Sequence, residues 1–238
     1  MDCYFSLKQK KMNEQDVNPA IEKRPEPSVS SVFGHGWETM KKNFPELLLV
    51  IFLQILIAIP IGIGNVFAPV PPHFFNFSSL FSLVYGLVVL TPVSYGCYWI
   101  FLKAIRGESF KVTDMFFAFQ QIGQVIIANI LMGLIIGAGF ILLIVPGIIF
   151  ACKLAFVPFL VMDKKMEAVS AIRKSWEMTK GFTGTLFLMG LVSCFIALAG
   201  IICLVVGIFP AAIWIELSFA CMYWVVSEKI AASTPPIA

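Results

Sequence analysis

The sequence predicts an all-α integral membrane protein: six transmembrane helices in a bundle, with amphipathic interfacial helices on the cytoplasmic side. Three observations predict it. Of the 238 residues, 59% are hydrophobic and 13% charged, against about 25% charged in a soluble domain. The apolar runs divide into six stretches of spanning length. Lys and Arg gather on one side of those stretches. A chain this apolar cannot clothe itself in polar groups, so lipid is the solvent for much of it.

Residues 1–30 are polar, with five basic and five acidic side chains, and bury too little apolar area to offset the entropy of ordering, which predicts a disordered tail. Met12 offers a second start. No cleavable leader precedes the first apolar run near Leu47, so the first span serves as the insertion signal. From Leu47 to Leu102 there is no Asp, Glu, Lys or Arg. One crossing needs about 20 residues, so the run divides at Asn65, Pro69, Pro71, Pro72, His73 and Asn76 into helices near 47–66 and 79–102. A single helix over 122–162 would be about 60 Å long. The Pro146-Gly147 step divides it into 122–145 and a short 148–162. A turn at Gly207 and Pro210 separates 184–206 from 211–227, and 231–238 forms a C-terminal tail.

The basic residues test this topology independently. Lys8 to Lys42, then Lys103, Arg106 and Lys111, then Lys164 to Lys180, then Lys229 all fall on one face, and the three opposite loops carry none. Lys153 alone departs. The positive-inside rule then places both termini in the cytoplasm.

Each odd-numbered helix is preceded by a segment of helical periodicity. Phe33, Trp37, Met40 and Phe44 oppose Lys41 and Lys42; Val112, Met115, Phe116 and Phe119 form a shorter version. Met166, Val169, Ile172 and Trp176 oppose Lys165, Arg173, Lys174 and Lys180. Such a stripe suits a helix lying in the membrane interface or one packed on the inner face of the bundle. Trp37-Glu38-Thr39-Met40-Lys41 and Trp176-Glu177-Met178-Thr179-Lys180 are alike, which suggests a threefold repeat of amphipathic segment plus hairpin.

With these pieces in place, the chain resembles a group of bacterial polytopic membrane proteins of unknown function. That group is related to the membrane domain accompanying some glycerophosphodiester phosphodiesterases. The resemblance rests on GWETMKKNF at 36–44, RGESFKVTDMF at 106–116, IVPGII at 144–149 and AVSAIRKSWEMTKG at 168–181, and covers roughly 31–228. It implies a six-helix domain in a bacterial cytoplasmic membrane and carries over no catalytic residue.

Little in the sequence points to chemistry. His35 and His73 fall on opposite sides of the membrane, so they share neither a metal nor a proton, and each reads as a surface or interface residue. The six cysteines are scattered with no Cys-x-x-Cys pair, so no metal is expected. No phosphate loop or nucleophile motif occurs. No catalytic residue and no cofactor are expected. The small net charge of +3 does not suggest nucleic acid. Gly133-x-x-x-Gly137 permits close helix approach, within the bundle or between copies. Asn76-Phe77-Ser78 fits a glycosylation acceptor, without meaning in a bacterium.

The informative residues are the charges inside the apolar runs. Lys153 lies ten residues from Asp163 and Glu216 twelve from Glu228, so both sit about 15–18 Å from the cytoplasmic boundary. A lone charge at that depth costs at least ~2.5–3.5 kcal/mol. Pairing would relieve it, with Gln54, Tyr98 and Asn129 adding hydrogen bonds at the same level. The group is either a structural ion pair or a midplane polar site. The expected function is non-catalytic, organising or sensing membrane lipids or other membrane proteins. A small transporter using the Lys153–Glu216 level is the alternative.

Overall fold

Proline lacks a backbone N–H, which costs little in the first turn of a helix, where that donor has no partner anyway. In the computed structural model, which describes residues 26–67, 77–202 and 207–233, Pro45, Pro146, Pro158 and Pro210 all stand in first turns. The helices are α1 (Val29–Lys42), α2 (Phe44–Phe67), α3 (Phe77–Tyr85), α4 (Thr91–Arg106), α5 (Ile122–Leu142), α6 (Ile144–Leu154), α7 (Val157–Asp163), α8 (Ala168–Met178), α9 (Thr183–Ile202) and α10 (Ile208–Ser233). A π-turn, Gly86–Leu90, joins α3 to α4, and a 3-10 helix, Val112–Gln121, precedes α5. No strand occurs among the described residues. The windows Phe44–Ile61, Leu80–Arg106, Val112–Leu142, Ile144–Asp163, Thr183–Ile202 and Ile208–Ala232 are each long and apolar enough to cross a membrane. The protein is a multi-pass, all-α membrane bundle.

Several boundaries differ from the sequence expectation, each for a local reason. The second span contains the π-turn because Pro92 interrupts the ladder; Thr91 donates its backbone N–H and its hydroxyl (3.0 Å) to the Gly86 carbonyl instead. It ends at Gly107, whose φ of 71° caps it in the left-handed region. The central hairpin turns at Leu143, in extended conformation, rather than at Pro146-Gly147, so the fourth span begins at Ile144 and is not short. Gly147 works there as a surface: a Cβ on Gly139 would meet the Gly147 backbone at 2.9 Å. The fourth span is interrupted at Ala155–Phe156, just before Pro158. α1 starts at Val29, inside the stretch expected as tail, with Ser28 accepting from the Ser31 N–H at 3.4 Å. α10 runs to Ser233, past the expected end, through the helix-forming Glu228, Lys229, Ala231 and Ala232. Residues 1–25, residues 68–76 with His73 and Asn76, residues 203–206 and residues 234–238 lie outside the described residues.

The even-numbered spans form the centre. Of their windows 33%, 44% and 50% is buried, against 17%, 17% and 22% for the odd-numbered ones. Aromatic rings tie the three together: Tyr98 of the second packs on Phe159 of the fourth (5.4 Å), which stacks on Tyr223 of the sixth (5.2 Å). Each amphipathic segment lies on one of these central helices. The 3-10 helix lies on α4, so close that a Cβ on Gly96 would collide with the Met115 carbonyl. α8 lies on the fourth span: the break at Ala155 releases the Lys153 carbonyl, and Ser175 Oγ donates to it at 2.7 Å, with Thr179 Oγ1 at 3.5 Å. α1 has no even span before it and lies on the last. Trp214 Nε1 donates to the Phe33 carbonyl at 2.8 Å, and Gly36 sits against Ser218. The three segments thus close a ring. An aromatic, a small residue and a cysteine recur in each central helix near these contacts: Tyr95-Gly96-Cys97, Phe150-Ala151-Cys152 and Phe219-Ala220-Cys221.

The amphipathic segments pack on the bundle, and α8 does so through a face partly different from the expected stripe. On α8 the buried residues are Ala168, Ala171, Ser175 and Met178, while Val169 of the expected stripe is 58% exposed. Small side chains allow the close approach; the larger apolar ones stand beside it, next to Arg173. Gly133 and Gly137 do not pack inside the bundle, since a Cβ at either would meet nothing within 4 Å among the described residues.

Candidate functional site

An ionised side chain between apolar helices is tolerated only when something replaces its water. Arg106 and Asp163, at the ends of the second and fourth spans, satisfy each other: Arg106 Nη1 and Nη2 reach the two carboxylate oxygens at 2.6 and 3.0 Å. Tyr223 of α10 donates its hydroxyl to Asp163 Oδ2 at 2.8 Å, and Lys164 Nζ lies 3.6 Å away. Lys103 pairs with Asp114 of the 3-10 helix at 2.8 Å. In the sequence these charges only mark a side of the membrane; their pairing with one another is visible in the fold alone.

Lys153 and Glu216 do not pair. Equal depth placed them together, but their helices point them in different directions. The Lys153 ammonium lies over the Trp176 ring, 4.4 Å from its centroid. The Ser-Trp-x-x-Thr motif of α8 therefore holds Lys153 twice, by its carbonyl and by its ammonium. Glu216 instead faces α2 and α4 across a cavity of about 230 Å³, lined also by Gln54, Ser94, Cys97, Tyr98 and Phe101. Gln54 Nε2 donates to Ser94 Oγ at 3.3 Å, leaving its carbonyl oxygen as an acceptor. No hydrogen bond or ion pair from the described residues reaches the Glu216 carboxylate.

Of the residues expected at the midplane, the structure thus brings together Glu216, Gln54 and Tyr98. Lys153 belongs to the α8 contact, and Asn129 is exposed on α5. Ser94 and Cys97 were missed. Ser94 and Tyr98 stand one turn apart on α4, a spacing that would have placed Ser94 in the group. His35 is half-buried: its Nε2 has no described hydrogen-bond partner and its ring lies 6.3 Å from that of Trp224.

The expected interfacial residues form a second candidate region. Trp37 is 41% exposed beside Lys41 and Lys42, with its ring 4.9 Å from Trp214. Arg173 is exposed, Lys174 reaches Glu177 at 4.0 Å, and Lys165 lies over the Phe117 ring at 5.5 Å. Trp176 is half-buried between Lys153 and Phe150. Phe116, 47% exposed, extends this mixture of aromatic and basic groups to the 3-10 helix. No family model, curated protein or solved structure matches this chain.

Proposed function

We propose that this is a non-catalytic protein of a bacterial cytoplasmic membrane, with both termini in the cytoplasm, that engages membrane lipids through its three amphipathic segments. One observation carries the reading. Each segment docks on a central helix and still presents large apolar side chains: Trp37 on α1, Phe116 on the 3-10 helix, Val169 on α8. Basic residues stand beside them. A ring of such elements fits the boundary between acyl chains and anionic headgroups, where each Lys or Arg contributes about 1 kcal/mol. The one-sided distribution of Lys and Arg supports the orientation. The resemblance of residues 31–228 to the membrane domain accompanying some phosphodiesterases supports the assignment to such a membrane.

The test uses the full chain in nanodiscs containing brominated lipid, which quenches nearby tryptophan. Brominated phosphatidylglycerol should quench Trp37 and Trp176 more than brominated phosphatidylcholine. Replacing Lys41, Lys42, Lys165, Arg173 and Lys174 by Gln should abolish that difference. Equal quenching by the two lipids in the unsubstituted protein would sink the reading. A second reading, a site for a small solute or headgroup within the bundle, is favoured by the cavity at Glu216.

A further inference from the structure

The cations described on the three central helices all have other partners, Lys229 at the ring of Phe182 among them, so Glu216 has no counterion among the described residues. Arg106 is held by Asp163, Lys103 by Asp114, and Lys153 lies over Trp176. Nor does the ring architecture call for an acid here. Aligned on Cys97, Cys152 and Cys221, the positions equivalent to Glu216 are Pro92 and Gly147. Those two helices carry no charge at that position, so docking of an amphipathic segment on a central helix does not depend on one.

The cavity's chemistry is specific. At about 230 Å³ it is far too roomy to strip and cage a bare metal ion, yet adequate for a molecule of a few heavy atoms. Its lining residues offer as acceptors the Glu216 carboxylate, the Gln54 carbonyl oxygen, which the Nε2 bond to Ser94 does not use, and the Tyr98 hydroxyl. Tyr98 and Phe101 also line it, and aromatic rings attract cations. We propose that this cavity is a binding site for a small primary ammonium ion, either a free amine or the amine headgroup of a phospholipid. The ammonium nitrogen donates to Glu216, Gln54 and Tyr98 and supplies the charge that the fold withholds. The proposal rests on the second reading above and names its ligand.

The probe is ethanolamine, added to the purified protein in detergent while its unfolding midpoint is followed. The midpoint should rise saturably with ethanolamine, less with choline, which has no N–H to donate, and not with sodium chloride at equal ionic strength. Glu216→Gln should weaken the response by roughly tenfold or more, because a charge-assisted hydrogen bond is lost. Gln54→Leu should weaken it by a smaller factor, and it keeps the test open should Glu216→Gln fold poorly. A parallel arm compares nanodiscs of phosphatidylglycerol with and without phosphatidylethanolamine. A Glu216-dependent rise with the lipid and not with free ethanolamine identifies the headgroup as ligand, and the reverse identifies the free amine. No response in either arm, an equal response to sodium, or an undiminished response in both variants overturns the proposal. Movement of labelled ethanolamine into sealed vesicles is read separately: binding without movement removes transport and leaves the site.

Discussion

Asp163 and Glu216 are carboxylates on adjoining central helices, and the fold surrounds them differently. Asp163 accepts both Arg106 N–H groups and the Tyr223 hydroxyl, with Lys164 close by, and ties the second, fourth and sixth spans together. Glu216 faces a cavity with no such partner among the described residues. Three polar contacts converging from two other helices make Asp163 part of the architecture. A carboxylate left unmatched in the same bundle costs stability, and its place beside Gln54 and Tyr98 points to use rather than support. The contrast yields opposite expectations for conservative substitutions.

The largest effect belongs to Asp163→Asn. Losing the charge strands the Arg106 guanidinium, whose side chain is only 16% exposed, so unfolding in detergent should show a loss of about 3 kcal/mol. Gly96→Ala comes next, because the new methyl meets the Met115 carbonyl and the 3-10 helix must move. A loss of about 2 kcal/mol is expected for such overpacking, whereas Gly133→Ala, with open space around it, should be neutral or slightly stabilising. Equal effects at the two glycines would contradict the packing of the 3-10 helix on α4.

Much of this fold was legible in the letters, for definite reasons. The six spans follow from uninterrupted apolar length, and the two like Trp-Glu segments both dock on a central helix, α1 on the sixth span and α8 on the fourth. The turn at Leu143 was misplaced because Pro146 was taken to end a helix, whereas it opens one. Depth arithmetic put Lys153 and Glu216 at one level but carries no information about direction around a helix. The contact of Lys153 with Ser175, Trp176 and Thr179 depends on the break at Ala155–Phe156, which apolar periodicity does not reveal. The binding face of α8 was hidden for a similar reason. Ala168, Ala171 and Ser175 score as weakly apolar, although their smallness is what lets the backbone approach.

Smaller effects sharpen the contrast further. Ser175→Ala removes the 2.7 Å hydrogen bond to the Lys153 carbonyl and leaves only the Thr179 hydroxyl at 3.5 Å, which lies closer to the Ser175 carbonyl (2.9 Å), so a loss of about 1 kcal/mol is expected. Lys153→Met and Glu216→Gln should be additive, with a coupling below about 0.5 kcal/mol, since the two side chains share no partner. A coupling well above that would mean that the two charges meet after all.

The smallest expected effect comes from Glu216→Gln alone, and it is best measured beside Asp163→Asn in the same detergent, without added amine. Glu216→Gln should match or exceed the unsubstituted protein in unfolding midpoint, because it removes an unmatched charge and keeps the shape, while Asp163→Asn falls well below both. A loss in Glu216→Gln as large as that in Asp163→Asn would mean that the Glu216 carboxylate holds the fold together, and would contradict its assignment to a binding site.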